Sequence, residues 1–277
     1  MTEKKEQICI YHGNCLDGFG AAWAVRYALA DDVRFHKGIH QQAPPDVNGL
    51  DVILVDFSYK KQVLEEMLET AASITIIDHH ISAEKDLSEL LSSKKINGIF
   101  DMNKSGAVLA WEWFNADKPV PRLIEHIQDR DLWQFKLEGT NEILAALSSY
   151  PFEFEVWDKF MANDKELEVL KCDGEAIERK LQKEIRELIS SGVRRMTIGG
   201  YDVPVLNAPS AYVSDAGNLM SENEPFAACY WDHPSGRSFS LRSGTDGVDV
   251  SEVAKQYGGG GHIKAAGFTV DIGWEGE

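Results

Sequence analysis

Residues 74–80 read ITIIDHH, an apolar, β-favouring run that ends in Asp78, His79 and His80. A polar turn at a strand end accounts for one such triplet. The pattern recurs, however. His12 closes QICIYH (7–12), Asp17 follows five residues later, and Asp56 stands near the end of DVILVDFS (51–58). In open parallel sheets, ligands gather beyond the carboxyl ends of the strands, so these side chains project toward one rim. Helix capping explains a single carboxylate there, but not three successive strand ends bearing His and Asp, Asp, and Asp-His-His. Mixed carboxylate and imidazole donors suit Mn²⁺, Fe²⁺ or Zn²⁺, whereas Mg²⁺ favours oxygen alone. Two such ions about 4 Å apart activate a water and stabilise charge developing on a phosphate ester.

The elements that must carry these residues alternate. Strand patterns at 7–12, 33–38, 51–58, 73–80 and 97–103 are separated by helical patterns at 18–30, 60–71, 83–93 and 105–116. Continuous apolar strands between helices imply parallel βαβ units with both sheet faces covered. After about residue 119 the chain turns mainly helical, ending in DGEAIERKLQKEIRELISSG (173–192), whose apolar residues recur at helical spacing on one packed face. Strand patterns then resume. The expectation is an α/β protein: a parallel-sheet domain with helices on both faces (1–135), a helical extension and linker helix (136–192), and a smaller α/β domain (193–277).

The chain has 277 residues, 43% hydrophobic and 26% charged, in keeping with a folded globular protein. Its net charge of −17 argues against coating long duplex DNA, which rests on many Lys and Arg contacts to phosphate. It does not argue against a short phosphorylated substrate, because cations held by clustered carboxylates make an acidic surface locally attractive to phosphate. No apolar run reaches the roughly 18–20 residues of a membrane span. The start, MTEKKEQICIYH, lacks the apolar stretch of a signal peptide, and the four cysteines have no CxxC spacing. Both features predict a cytoplasmic protein.

In YGGGGHIKAAGF (257–268), Gly259, Gly260 and Gly261 lack Cβ atoms, so their backbone can approach a ligand and line a phosphate with N–H groups. His262 either hydrogen-bonds that phosphate or is a structural imidazole. Arg242, ending the strand pattern SFSLR, has a fork suited to two phosphate oxygens, and the alternative is a surface arginine. Lys264 is a weaker candidate of the same kind. Ser105 and Gly106 open a helix whose N-terminus either holds an anion or is simply capped. His36, His40, His126 and His233 are expected to be structural, and Trp111, Trp113 and Trp133 are expected to pack in the core rather than to stack a base.

The ordered set YHGNCLDGFGAA (11–22), ILVDFS (53–58), IDHH (77–80) and YGGGGHIKAAGF resembles the DHH/DHHA1 phosphoesterase superfamily, across roughly 7–130 and 195–271. The resemblance implies two α/β domains with a catalytic cleft between them, and manganese as the usual cofactor, with Mg²⁺ or Co²⁺ as substitutes. It implies His12, Asp17 and His79 as metal ligands and Asp56 as the bridge between two metals. Asp78 would support the cluster, and His80 would face the substrate phosphate as the other catalytic residue. IQDRDLW (127–133) offers two aspartates for the last ligand, and Asp129 is preferred to Asp131 because it follows the apolar end of a helix. One position departs from the pattern: where the motif commonly carries an aspartate, this chain has Cys15, either a softer ligand or a spectator thiol.

Such a protein is expected to hydrolyse short oligonucleotides to 5′-mononucleotides. The alternatives are another small-substrate phosphohydrolase, acting on pAp, a cyclic dinucleotide or polyphosphate, and a non-catalytic regulator with the same fold. An intact pyrophosphatase is disfavoured, since no Lys- or Arg-dense anion pocket is evident in the last third of the sequence.

Overall fold

A computed structural model describes residues 6–277 except Asn14 and Gln41. The stretch 1–5, with most of the charge of the N-terminal segment discussed above, lies outside the described residues. The chain divides into two compact units, one running up to Glu178 and the other spanning Arg179–Glu277.

The first unit is a parallel sheet of five strands: β1 (Gln7–His12), β2 (Val33–Gly38), β3 (Asp51–Val55), β4 (Ser73–Asp78) and β5 (Asn97–Phe100), in the order β2-β1-β3-β4-β5. Its helices are α1 (Leu16–Leu29), α2 (Lys61–Leu68), α3 (Ile81–Ser92), α4 (Gly106–Phe114), α5 (Arg122–Asp131), α6 (Thr140–Leu147) and α7 (Phe154–Met161). The long α8 (Asp164–Gly192) contains the division between the units. Strand side chains alternate between faces, and here both faces are buried. Cys9, Tyr11, Ile53, Val55 and Ile77 pack with α1, α4 and α5 in one core. Ile8, Ile10, Val52, Leu54, Ile74 and Ile76 pack with α2 and α3 in the other. This double burial is why DVILV and SITII read as unbroken apolar runs.

Two glycines set the approach of helices to the sheet rim. A Cβ on Gly18 would lie 2.3 Å from the His12 carbonyl oxygen, so only glycine permits the tight entry from β1 into α1. A Cβ on Gly106 would lie 2.4 Å from Asp56 Cβ, so glycine lets the start of α4 close onto the strand ends.

The second unit is a mixed sheet built from β6 (Arg194–Ile198), β7 (Tyr201–Asn207), β8 (Ala227–His233), β9 (Gly236–Arg242), β10 (Gly260–Gly261) and β11 (Ala265–Val270), in the order β10-β11-β9-β8-β7-β6. Only β7 and β8 pair in parallel. Val203, Val205, Phe239 and Phe268 pack against α10 (Val250–Lys255), while Leu206, Ala227 and Cys229 pack with Ala216 and Met220 of α9 (Val213–Met220). Among the described residues, no helix is long and apolar enough to cross a membrane.

Candidate metal centre

The parallel register aligns Tyr11 with Val55 and Val55 with Ile77, which sets His12, Asp56 and Asp78 in a row at the carboxyl edge of the sheet. Asp56 leaves its strand with φ 52°, a left-handed conformation that is uncommon away from glycine. Such strain costs about 1 kcal/mol or more and gathers at functional sites. Its two carboxylate oxygens serve different neighbours. Oδ2 lies 3.4 Å from His12 Nδ1 and 3.9 Å from Cys15 Sγ, while Oδ1 lies 3.1 Å from His79 Nε2.

His79 Nε2 is also 3.7 Å from Asp17 Oδ2 and 3.6 Å from Asp131 Oδ2. One ring N–H can serve one acceptor at a time, yet three carboxylates converge on this nitrogen. A divalent cation among them matches that donor set, with three oxygens and a nitrogen on one side of Asp56 and an imidazole and a thiol on the other. The residues present therefore fit the metal pair that the fold implies. His12, Cys15 and Asp56 form one group of closely spaced donor atoms, and Asp17, His79 and Asp131 form another.

Asp17 is fixed from behind. The Gly106 N–H donates to its Oδ2 (2.6 Å) and the Ala107 N–H to its Oδ1 (3.0 Å), so the N-terminus of α4 is occupied by this chain's own carboxylate. Ser105 is the helix cap, accepting from the Val108 N–H. Burial raises the Asp17 pKa, and the nearby Asp56 and Asp131 raise it further, well above the usual carboxylate range. Burial acts the same way on Asp56, but hydrogen bonds with His12 and His79 overcome it and hold that group ionised.

Asp78 is fully buried and serves its neighbours. Its Oδ1 accepts from the His79 N–H (2.7 Å) and pairs with His80 Nδ1 (2.6 Å), and Ser58 Oγ donates to Oδ2 (3.2 Å). Burial disfavours the charged form of His80, yet Asp78 outweighs it and raises the pKa of the ring. Asp78 is thus a positioning residue. His40, expected to be structural, has its ring 5.4 Å from that of His12, at the edge of the cluster.

Asp131, rather than the preferred Asp129, joins the cluster. The Asp129 carboxylate accepts from the N–H groups of Lys136 (2.7 Å) and Leu137 (3.0 Å) and from Thr140 Oγ1 (2.7 Å). Both oxygens are engaged in bracing the loop after α5, where Trp133 and Phe135 adopt positive φ. The trace left in the sequence is positional only: Asp131 lies four residues after Ile127 and seven after Ile124, on the side of α5 that those isoleucines share, whereas Asp129 lies about 200° from Ile127, and of the two it is Asp129 that is buried. Replacing Asp129 with Ala should lower stability by about 2–4 kcal/mol while leaving metal stoichiometry unchanged. Thermal denaturation and metal analysis of the variant check this. Trp111 is buried as expected, but Trp113 and Trp133 are exposed, because each lies off the packed face of its segment.

In the second unit, Ala265 pairs with Arg242 across the sheet, and the His262 N–H donates to the Ala265 carbonyl (2.8 Å), so His262 and Arg242 share one end of the sheet. Arg242 donates to Ser240 Oγ and Ser214 Oγ (both 2.8 Å). The glycine run does backbone work. Gly258 has φ 77° at the end of α10, the Gly259 N–H donates to the Ala254 carbonyl, and Gly260–Gly261 pair with β11. The Gly259 N–H is therefore committed to closing the helix, contrary to its expected place in a phosphate cradle. A Cβ there would also meet the Gly267 carbonyl at 2.1 Å. Lys264 Nζ donates to the carbonyls of Thr245 and Gly247 and braces a loop.

No family model matches the chain. The uncharacterized protein R106 of Acanthamoeba polyphaga mimivirus is 32% identical to it over 296 residues, spanning 97% of this chain and 68% of the viral protein. The oligoribonuclease NrnB of Bacillus subtilis (strain 168) is 24% identical over 301 residues, spanning 94% of this chain and 72% of NrnB. An exopolyphosphatase-related protein of Bacteroides fragilis shares the fold, with a TM-score of 0.50 and 14% identity over 96% of this chain and 88% of its own. Fold, donor cluster and relatives define a hydrolase of the phosphoesterase kind. The chain belongs to the DHH/DHHA1 superfamily.

Proposed function

We propose that the protein is a manganese-dependent phosphodiesterase that hydrolyses short oligonucleotides to 5′-mononucleotides. The observation that carries this reading is Asp56, whose two oxygens address two separate donor groups, one at His12 and one at His79. When bound, two divalent ions supply an activated water and neutralise charge on the phosphate. His12 and Asp56 would hold one ion, and Asp17, Asp56, His79 and Asp131 would hold the second. Asp78 fixes the His80 ring through Nδ1, so that Nε2 is the nitrogen that donates to a phosphoryl oxygen as charge develops there. Asp78 raises the His80 pKa, which favours the cationic ring for that role. In the second unit, Arg242 and His262 are the candidates for binding a further substrate phosphate.

The substrate class is supported by the relative named as an oligoribonuclease and by the acidic chain, which disfavours long duplex nucleic acid. The presence of every strand-end donor in the cluster supports an active enzyme over a non-catalytic regulator. The test is chromatography of products from the dinucleotide pApA incubated with the protein and Mn²⁺. The expected result is AMP, released at about 1 s⁻¹ or faster. Absence of AMP from protein that demonstrably holds manganese would remove oligonucleotides as the substrate class.

A further inference from the structure

Cys15 stands in the loop between β1 and α1, where it occupies the N-cap position of α1 without making a side-chain cap hydrogen bond. Its sulfur faces the cluster instead. Among the described residues it is the one cysteine that falls within a group of potential metal donors; Cys9 and Cys229 are buried in the two units' cores and Cys172 is exposed on α8. A spectator thiol in a core has apolar neighbours, as Cys9 and Cys229 do. Cys15 has an imidazole nitrogen and a carboxylate oxygen.

The spacing of these atoms is informative. Around a tetrahedral ion with bonds of about 2.3 Å to sulfur and about 2.1 Å to nitrogen and oxygen, N···O separations are about 3.4 Å and S···O separations about 3.6 Å. The observed values are 3.4 Å for His12 Nδ1 to Asp56 Oδ2 and 3.9 Å for Cys15 Sγ to Asp56 Oδ2. The opposite group offers only carboxylates and one imidazole, a harder set. Thiolate selects Zn²⁺, Fe²⁺ or Co²⁺, and carboxylate-rich sites suit Mn²⁺.

From this asymmetry we infer that Cys15 is a metal ligand and that the centre is built for two different ions: a thiophilic one held by His12, Cys15 and Asp56, and manganese held by Asp17, Asp56, His79 and Asp131. Binding converts the Cys15 thiol to thiolate, and its proton leaves to solvent. The inference rests on the two-metal reading of the same centre. It refines that reading by giving the two positions different chemistry.

The test is anaerobic titration of the metal-stripped full-length protein with Co²⁺, followed by absorption spectroscopy. The expected spectrum has visible d–d bands together with a near-ultraviolet sulfur-to-cobalt charge-transfer band. Cys15→Ser and Cys15→Asp should keep d–d bands and lose the charge-transfer band, while Cys172→Ser should keep both. In parallel, Cys15→Asp should lower the ratio of zinc to manganese affinity by at least about tenfold. Visible bands in the unmodified protein without the charge-transfer band would overturn the inference and leave the two-metal centre standing. A charge-transfer band that survives in Cys15→Ser would overturn it as well. Failure to bind cobalt at all would defeat the two-metal reading and the inference with it. Because the decisive spectrum is that of the unmodified protein, misfolding of a variant does not blunt the test.

Discussion

Asp56→Asn is expected to abolish turnover, lowering kcat by roughly 10³-fold or more and weakening binding of both ions. The substitution is nearly isosteric, and asparagine tolerates positive φ as aspartate does, so the turn at the end of β3 should persist. Only the charge and one acceptor oxygen are lost. That oxygen is one of two facing separate donor groups, at His12 and at His79, so no other side chain can compensate for both. The measurement is steady-state turnover of pApA beside metal analysis of the dialysed variant, with circular dichroism to establish that the fold is intact. A correctly folded variant within about tenfold of the unmodified protein would remove Asp56 from the centre of the mechanism.

The parts of this fold that were legible from sequence are those in which local pattern and burial agree. The strands 7–12 and 33–38 were expected with the ends that are found, the first as a largely apolar run and the second from Val33 and Phe35 alternating with polar residues. Convergence of His12, Asp56 and Asp78 followed from the parallel topology alone, since parallel strands all present their carboxyl ends to one edge. What could not be read was which face of a helix points inward where both faces are engaged. Helix α5 buries Ile124 and Ile127 in the core it shares with α1 and α4, and His126 and Asp129 on the side where Thr140 bonds both of them. Two aspartates two residues apart then meet different partners, and composition around them does not separate a ligand from a loop brace.

The glycine run illustrates a similar limit. Four consecutive glycines read equally well as a surface that receives phosphate and as a backbone that must pass close to another strand. The contacts at Gly259 and Gly261 belong to the second kind: added Cβ atoms would meet the carbonyls of Gly267 and Ala265 at 2.1 and 2.6 Å. Those carbonyls belong to β11, eight and four residues further along the chain, and the requirement leaves no local trace. Cys15 is the converse case, a local departure from motif that only the three-dimensional position of its sulfur makes chemical.

The affinity of the centre for divalent metal should rise steeply with pH, by about tenfold per pH unit for each proton displaced, between pH 6 and 8. Burial disfavours the charged forms of His12 and His79, yet their hydrogen bonds with Asp56 prevail; His12 is held well above its ordinary value of 6.5 and His79 is raised to about 10. Without metal, these protons supply the positive charge that the carboxylates require, and an incoming ion must expel them. The same groups set the stability of the metal-free protein. Raised pKa values at His12, His79 and Asp17 contribute stability that is present below their unfolded values and is lost as pH climbs through the folded ones, which for His79 is the window from 6.5 to about 10. Asp56 works in the opposite sense, its contribution being present above 3.8 and lost only as pH falls through its depressed folded value. Above neutrality the metal-free protein therefore weakens while the metal-bound form, whose ligands are already deprotonated, does not. The increase in melting temperature on adding Mn²⁺ to chelator-treated protein should accordingly widen from pH 6 to pH 9, and calorimetry in buffers of different ionisation enthalpy should register proton release. A metal-induced shift that stays flat or shrinks over that range would mean that His12 and His79 carry no protons for the metal to displace.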